Sequence, residues 1–171
     1  SKGVKNIFGE DVKMIEMQSE GGVAGTLHGA LLSRAYGSSF TSSQGLLLMI
    51  PNMYKMAGEC LPAVLHVSAR AVASHALSIF GDHSDVMATR MSGFVMLASS
   101  SVQNAHILAL ASHTLAMKAR LPVLHFFDGF RTSHELQKID TFEDDEIKKV
   151  IKNYFINFKN TYQERQFGTA Q

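Results

Sequence analysis

Residues 94–128 read FVMLASSSVQNAHILALASHTLAMKARLPVLHFFD, in which two short apolar runs flank a longer helix-forming segment. The runs at 94–100 and 122–128 have the nearly continuous apolar composition of strands that are covered on both faces. Between them, Ser101 is a good N-cap for a helix over residues 101–119. This order predicts a strand, a helix and a second, parallel strand, which is the repeating unit of α/β folds.

The same rhythm runs through the rest of the chain. Three further short runs have strand composition: VKMIEM at 12–17, SSFTSS at 38–43 and AVLHVSA at 63–69. Helices are expected at 20–36 and 45–59, whereas 70–90 is less regular. Pro51 should kink the second helix or split it into two pieces, because proline lacks the N–H that a helix interior needs. We therefore predict an α/β domain whose five strands form a mostly parallel sheet flanked by helices.

Charged side chains are concentrated in the last part of the chain. Residues 1–130 contain 17 Asp, Glu, Lys and Arg residues, and the 41 residues that follow contain 14. The segment EDDEIKKVIKNYFINFKN therefore predicts an amphipathic helix on the surface. We accordingly divide the chain into a domain at 1–139 and a peripheral charged helix and tail at 140–171.

The overall composition excludes several classes of protein. With 46% apolar residues, 18% charged residues and a formal charge of +1, the chain can bury a core but has no basic field for nucleic acid. No uncharged apolar stretch is long enough for a membrane span, and cytoplasm is the default compartment. The single cysteine, Cys60, allows no internal disulfide and no iron–sulfur cluster in this chain. The start, without Met, is what a processed chain or an excised fragment would show.

Ionisable side chains follow three of the predicted strands. Glu20 comes after the first strand, Arg70 after the third, and Asp128 with Arg131 after the fifth. Ligands of open α/β sheets bind at the carboxyl ends of the strands, so these side chains are candidates for a small-molecule site. The simpler explanation for Glu20 is local, because Ser19 is a good N-cap and a helix N-terminus attracts acidic side chains.

Histidine is the other abundant ionisable residue, with eight copies. His66 and His125 lie inside apolar strands and are expected to be hydrogen-bonded core residues. Asp82, His83 and Asp85 crowd one turn, but their spacing is a weak match to known metal sites, and we assign no metal ligand in this chain. Neither a Gly-x-Ser-x-Gly nucleophile motif nor a phosphate-binding Gly-rich loop occurs.

Four long segments match one family in order and spacing. They are EMQSEGGVAGTLHGAL at 16–31, FTSSQGLLLMIPNMYKMAGE at 40–59, HVSARAVASHALSIFGDHSDV at 66–86 and HFFDGFRTSHELQKI at 125–139. Over residues 5–139 the chain closely resembles the amino-terminal domain of pyruvate:ferredoxin (flavodoxin) oxidoreductases, and after Asp140 the resemblance is weak. It implies a pyrimidine-type thiamine-diphosphate-binding domain with an α/β fold.

The resemblance also implies an activity. The family oxidatively decarboxylates pyruvate with coenzyme A, forming acetyl-CoA and carbon dioxide and passing electrons through iron–sulfur clusters to ferredoxin or flavodoxin. Its thiamine diphosphate lies between two domains, of which one like this holds the aminopyrimidine ring and another holds the diphosphate and Mg²⁺. Mg²⁺ and the clusters would then be bound by regions absent from this chain. A homodimer of whole enzymes is expected, in the cytoplasm or in the hydrogenosome of an anaerobic eukaryote.

Two residues match functional motifs of that family. Glu20 is the glutamate of the MQSE motif, which would hydrogen-bond the pyrimidine ring nitrogen and favour the imino tautomer that acts as a base toward the thiazolium carbon. That glutamate must hold or share a proton, which burial favours and a helix N-terminus opposes. Arg70 is the arginine of the HV-(S/T)-AR motif, whose planar fork would bind the substrate carboxylate through two parallel hydrogen bonds.

The chain also departs from the family pattern. The usual first strand and turn, with a Pro-Ile-Thr-Pro-like motif, is absent, so we predict a domain that lacks its first βα unit and is inactive by itself. Two alternatives remain open. One is a non-catalytic fragment that acts as an assembly or dimer-interface module, and the other is an oxidoreductase for another 2-oxo acid.

Overall fold

The computed structural model describes residue 3 and residues 5–7, 9–73 and 79–164, without the side chains of 155 and 157–164. Its helices are α1 (Glu20–Leu32), α2 (Gln44–Gly58), α3 (Ser84–Ala88), α4 (Val102–Ala119), α5 (Arg131–His134) and α6 (Asp144–Glu164). Its strands are β1 (Ser38–Thr41), β2 (Val64–Ala69), β3 (Val95–Ser99) and β4 (Val123–Asp128).

The four strands form one parallel sheet in the spatial order β1, β2, β4, β3. β3, α4 and β4 make the strand, helix and parallel strand that residues 94–128 predict, with Leu97 of β3 opposite His125 of β4. On its other side β4 pairs with β2, so that His66 lies opposite His125. The prediction of an α/β fold with a mostly parallel sheet is confirmed.

The predicted strand at residues 12–17 is wrong. This segment forms no strand, and Val12, Met14 and Ile15 are 58%, 82% and 61% exposed. Alternating apolar side chains favour a strand only where a neighbouring strand can pair with their backbone. In the described part of the chain no strand lies beside this segment, which instead lines a groove of about 820 Å³ together with α1 and the start of β1.

Of the two outcomes expected at Pro51, a kink or a split of the second helix, the split does not occur. The helix α2 runs unbroken from Gln44 to Gly58. Proline costs about 3 kcal/mol in a helix interior, but α2 fully buries four long side chains, each worth about 1.5–3 kcal/mol. They are Leu46, Met49, Met53 and Met56. Packing of this face therefore outweighs the missing backbone hydrogen bond.

Of two other predicted helices, one ends earlier than expected and the other is confirmed. α1 ends at Leu32 rather than at residue 36, because Arg34 has a φ of 68°, which a right-handed helix cannot accommodate. The amphipathic helix predicted for the charged tail is confirmed as α6, which packs against α4. None of the helices among the described residues combines the length and apolar composition that a membrane span requires.

Different helices cover the two faces of the sheet. α1 and α2 pack together on one face, where Leu65, Val67 and Leu124 belong to the main apolar core. α4 packs on the other face, against β2, β3 and β4. Because alternate side chains of a strand point to opposite faces, His66 and His125 lie on the α4 face. The carboxyl ends of all four strands meet at one edge of the sheet, which is where the candidate site lies.

Candidate active site

Glu20 is the first residue of α1. Ser19 precedes it as the N-cap, and the Ser19 hydroxyl accepts a hydrogen bond of 3.3 Å from the Gly22 N–H, as the local explanation predicts. The partly buried Glu20 side chain extends from α1 to the start of α2. A Cβ atom placed on Gly45 would lie only 2.8 Å from Glu20 Oε1, so a side chain at this position would displace the Glu20 carboxyl group. The N-termini of two helices therefore lie next to the Glu20 carboxyl group.

A second polar group lies beside Gly45. Thr41, the last residue of β1, places its hydroxyl oxygen 2.8 Å from the same Cβ position. This oxygen is buried, and no hydrogen-bond partner for it exists among the described residues. Buried polar atoms are nearly always hydrogen-bonded, so an orphaned hydroxyl next to a carboxylate indicates a place where a ligand supplies the missing partner.

Arg70 directly follows β2. Its side-chain Nε–H donates a hydrogen bond of 2.9 Å to the carbonyl of Gly129, in the turn after β4. Gly129 must be glycine, because a Cβ atom there would lie 2.7 Å from Arg70 Cγ and 2.4 Å from the carbonyl oxygen of Ala69. The ion pairs found in the described part of the chain are His28–Glu59 and Lys148–Asp145. Arg70 is thus held at its Nε atom, with its charge not committed to any described carboxylate.

Asp85 lies in the first turn of α3 and is fully buried. Its Oδ2 atom accepts hydrogen bonds from the backbone N–H groups of Ser43, at 2.9 Å, and Arg70, at 3.0 Å. Its Oδ1 atom accepts one from the N–H of Val86 at 2.7 Å. Sequence reasoning treated Asp85 only as a weak metal candidate, and no local pattern marks it as a link between β1 and β2.

Asp128 ends β4 and lies at the same edge of the sheet. Its Oδ1 atom accepts hydrogen bonds from the N–H groups of Phe130 and Arg131. Burial alone would raise the pKa of Asp128, but these backbone donors hold that pKa below its usual range. Gly81 packs directly against the carboxylate, where any side chain would clash. Asp128 therefore organises the turn after β4, and Arg131 is an exposed residue that begins α5.

The predicted strand-end residues are thus placed at one edge of the sheet by a connected set of contacts. Glu20 touches Gly45, which lies two residues after Ser43, and Asp85 joins Ser43 to Arg70. Glu20 and Arg70 form no direct hydrogen bond or ion pair in the described structure.

A network of buried polar side chains lies away from this edge, on the α4 face. We call it the histidine network. The Tyr36 hydroxyl is 2.9 Å from Nδ1 of His113, whose Nε2 is 3.2 Å from Nε2 of His66. Nδ1 of His66 is 2.9 Å from Nδ1 of His125, and Nε2 of His125 is 2.8 Å from the Ser99 hydroxyl. The prediction that His66 and His125 are hydrogen-bonded core residues is confirmed.

The histidine network is complete when all three histidines are neutral. Each contact between two rings needs one proton, and three neutral rings can align their N–H groups in either direction along the network. An additional proton requires both end hydroxyls, of Tyr36 and Ser99, to accept a hydrogen bond, and it places a positive charge among partly or fully buried rings. Burial, and to a smaller extent the neighbouring histidines, lower the pKa of His66 to about 4. Burial, and to a smaller extent His125, lower the pKa of His113 to about 4. Burial also lowers the pKa of His125.

The residues once considered as metal ligands do not come together. Asp82 is exposed, and its carboxylate accepts a hydrogen bond from the Ser84 N–H. The His83 ring meets the ring of Phe126 edge-on, and Asp85 is enclosed by backbone N–H groups. Within the described ranges, no three His, Cys, Asp or Glu side chains are arranged to hold a metal ion.

The comparison with known families agrees with the motifs around Glu20 and Arg70. Residues 2–168 match the family described as pyruvate flavodoxin/ferredoxin oxidoreductase, thiamine-diphosphate-binding. The chain belongs to this family. The match extends past residue 140, so family similarity includes the charged tail that the motifs leave out.

Individual relatives show how much of a family member this chain represents. It is 56% identical over 174 residues to a pyruvate:ferredoxin oxidoreductase of Moorella thermoacetica, which covers 99% of the chain but 15% of the relative. It is 58% identical over 151 residues to a pyruvate-flavodoxin oxidoreductase of Rhodospirillum rubrum, covering 88% of the chain and 13% of the relative. The chain therefore spans about one seventh of the length of these curated relatives.

A third relative carries the same domain under a different name. It is the mitochondrial pyruvate dehydrogenase [NADP(+)] of Euglena gracilis, 58% identical over 151 residues, which cover 88% of the chain and 8% of the relative. The three relatives are named after ferredoxin, flavodoxin and NADP(+). Similarity in this domain therefore does not distinguish between electron acceptors.

The residues at the sheet edge fit part of a thiamine diphosphate site. Glu20 and Thr41 place a carboxyl group and an unpartnered hydroxyl beside Gly45, and both groups can hydrogen-bond the nitrogens of a ring. No cluster of carboxylates that could hold a divalent cation lies among the described residues. The donor set fits the ring of the cofactor rather than its diphosphate.

Proposed function

We propose that this chain supplies the pyrimidine half of the thiamine diphosphate site in an oxidoreductase that converts pyruvate and coenzyme A to acetyl-CoA and carbon dioxide. Electrons pass to ferredoxin or flavodoxin. The observation that carries the proposal is the group of Glu20, Thr41 and Gly45 at the carboxyl edge of the sheet, which Asp85 connects to Arg70. When bound, the cofactor supplies the electron sink that decarboxylation of a 2-oxo acid requires.

Glu20 has the role of a proton-sharing partner for the ring nitrogen. The Glu20 side chain is only partly buried in this chain. To share a proton, the carboxyl group must be enclosed further, by the cofactor ring and by another domain of the enzyme. This is the physical reason for proposing half of a site rather than a complete one.

Arg70 has the role of the substrate carboxylate receptor. Because its Nε–H is held by the carbonyl of Gly129, the orientation of the guanidinium plane is restrained before substrate arrives. The two terminal nitrogens can then donate parallel hydrogen bonds to a carboxylate, which leaves the neighbouring carbonyl carbon in a defined position. Lysine in this position could not both keep the Gly129 contact and bind a carboxylate through two donors.

The remaining parts of the reaction belong to other regions of the enzyme. A single cysteine cannot hold the iron–sulfur clusters, and we assign these, together with Mg²⁺ and the diphosphate site, to other domains or subunits. We expect the whole enzyme to be a homodimer in the cytoplasm or, in an anaerobic eukaryote, in a hydrogenosome.

The assembly alternative has one observation in its favour. Phe80 and Phe130 contact each other near Arg70, with ring centroids 6.1 Å apart, and they are 70% and 47% exposed. Exposed aromatic side chains are frequent where another protein surface docks. An interface role and the half-site role differ in one result, because only the half-site requires the carboxyl group of Glu20.

The test is the Glu20→Gln variant of the intact enzyme. Removing the acidic proton should lower the rate of pyruvate oxidation by about 10²–10⁴-fold, the usual contribution of a positioned acid or base. Glu16→Gln is the matched control, since Glu16 is an exposed residue in the segment that precedes α1, and it should have wild-type activity. Full activity of Glu20→Gln would exclude the catalytic role and leave the assembly alternative. Activity with other 2-oxo acids, measured in parallel, tests the alternative substrate.

A further inference from the structure

Asp85 is a buried carboxylate in the described structure that has no positively charged partner. It is fully buried, and all three of its hydrogen bonds come from backbone N–H groups. Burying a carboxylate is costly unless hydrogen bonds replace its water. An apolar residue would fill the same space but leave these three N–H groups without their acceptor, so the arrangement of the hydrogen bonds is the feature that needs explaining.

The two hydrogen bonds to Asp85 Oδ2 come from the two segments that carry the candidate site. One donor is the N–H of Ser43, in the turn between β1 and α2, two residues before the Gly45 that contacts Glu20. The other is the N–H of Arg70 itself. A single oxygen atom therefore joins the turn that adjoins Glu20 to the backbone of Arg70.

The backbone of Ser43 shows that this turn is under constraint. Ser43 has φ 50° and ψ −128°, a conformation that residues other than glycine rarely adopt and that costs about 1–3 kcal/mol. Besides the bond to Asp85, its hydroxyl donates to the carbonyl of Ala71 at 2.9 Å. Both contacts tie the turn to the segment after β2, so the strained conformation is held by the same link that reaches Arg70.

We propose that Asp85 is a positioning residue for the substrate arginine. It touches neither substrate nor cofactor, and it acts by holding Arg70 at a fixed distance from the turn that adjoins Glu20. This inference rests on the proposed function, because it assumes that Arg70 binds the carboxylate of pyruvate. A purely structural Asp85 would change the amount of folded enzyme and leave the KM for pyruvate unaltered.

The test is a double-mutant cycle in the intact enzyme with Asp85→Asn and Arg70→Lys, which measures the KM for pyruvate and kcat per folded active site. Asp85→Asn should raise the KM about tenfold, the effect of weakening charge-assisted hydrogen bonds, with a smaller change in kcat. In the Arg70→Lys background the same substitution should change the KM by less than about threefold, because Asp85 acts through Arg70. Asp82→Asn, an exposed acid in the same loop, is the control and should have a wild-type KM.

The possible outcomes are distinct. If Arg70→Lys raises the KM but Asp85→Asn does not, or if the two effects add, the positioning role is wrong and the proposed function stands. If Arg70→Lys leaves the KM unchanged, both assignments are wrong. If Asp85→Asn fails to fold, Ser43→Ala replaces it, since it removes the Ser43 hydroxyl, which ties the same turn to the carbonyl of Ala71 and also contacts the Gln44 side chain. An unchanged KM in Ser43→Ala would then overturn the positioning role, and a raised KM that disappears in the Arg70→Lys background would support it.

Discussion

On the side of α1 and α2, the sheet presents Leu65, Val67 and Leu124, which are fully buried among other apolar side chains. On the side of α4, the same strands present His66 and His125, which are buried in the histidine network. The apolar face is stabilised by area removed from water, which is non-directional and does not titrate. The histidine face is stabilised by hydrogen bonds whose protons must be placed correctly, so its contribution depends on pH.

The largest expected effect on the free energy of unfolding comes from truncating a buried side chain on the apolar face of the sheet. Met53→Ala should lower the free energy of unfolding of this chain by about 2–5 kcal/mol, because it leaves a cavity under α2, and the loss should be the same at pH 7 and pH 5. Met53 is fully buried, whereas Met91 is 70% exposed, and Met91→Ala should leave unfolding unchanged. Urea unfolding measures both. A loss that varied with pH would contradict the distinction between the faces.

Acid should act on the histidine face. The folded protein holds the pKa of His66 and of His113 at about 4, while the unfolded chain has the ordinary histidine value of 6.5. Between these values the unfolded chain binds more protons, so the stability is complete above pH 6.5 and is lost as the pH falls toward 4. From pH 6.5 to 5 the free energy of unfolding should fall by about 3 kcal/mol, with about 1.6 kcal/mol from each of these two histidines.

Urea unfolding at a series of pH values checks this expectation. Asp82 and Asp128 have pKa values below the usual 3.8 and therefore titrate outside the chosen window. His66→Leu removes the central ring and should flatten the pH dependence. A wild-type profile that is flat between pH 6.5 and 5 would show that the network tolerates an extra proton.

The smallest expected effect is at the end of the network. Ser99→Ala removes the hydroxyl that meets His125 Nε2 at 2.8 Å and should cost about 1 kcal/mol, the usual value of one hydrogen bond. Ser38, exposed at the start of β1, provides the control substitution Ser38→Ala. Equal unfolding free energies for the two variants would mean that Ser99 is not part of the network in solution.

The tautomers of the three histidines provide a further test of whether their rings form one connected network. In one direction of the network, His66 is protonated at Nδ1, and His113 and His125 are protonated at Nε2. In the other direction, His66 is protonated at Nε2, and the other two are protonated at Nδ1. At pH 7, ¹⁵N NMR of the imidazoles should therefore show His66 with the opposite tautomer from its two neighbours. Three identical tautomers would contradict the connected network.

Local patterns predicted the fold class because they report burial on both sides of short segments. The strand, helix and strand at 94–128 could be read from apolar runs and one N-cap, and strand ends placed Arg70 and Asp128 at one edge. The same patterns failed at 12–17, where a strand has no described partner, and at Pro51, where packing outweighs a local defect.

The sequence by itself determined that this is an α/β domain with a family-specific glutamate and arginine after two apolar segments, because composition, periodicity and motifs are local properties. Only the tertiary structure decided that Asp85 joins the turn after β1 to Arg70, and that three histidines from β2, β4 and α4 form one hydrogen-bonded network. These contacts join residues that are between 15 and 59 positions apart in the chain. No local pattern encodes them, since each bond depends on where separate elements pack.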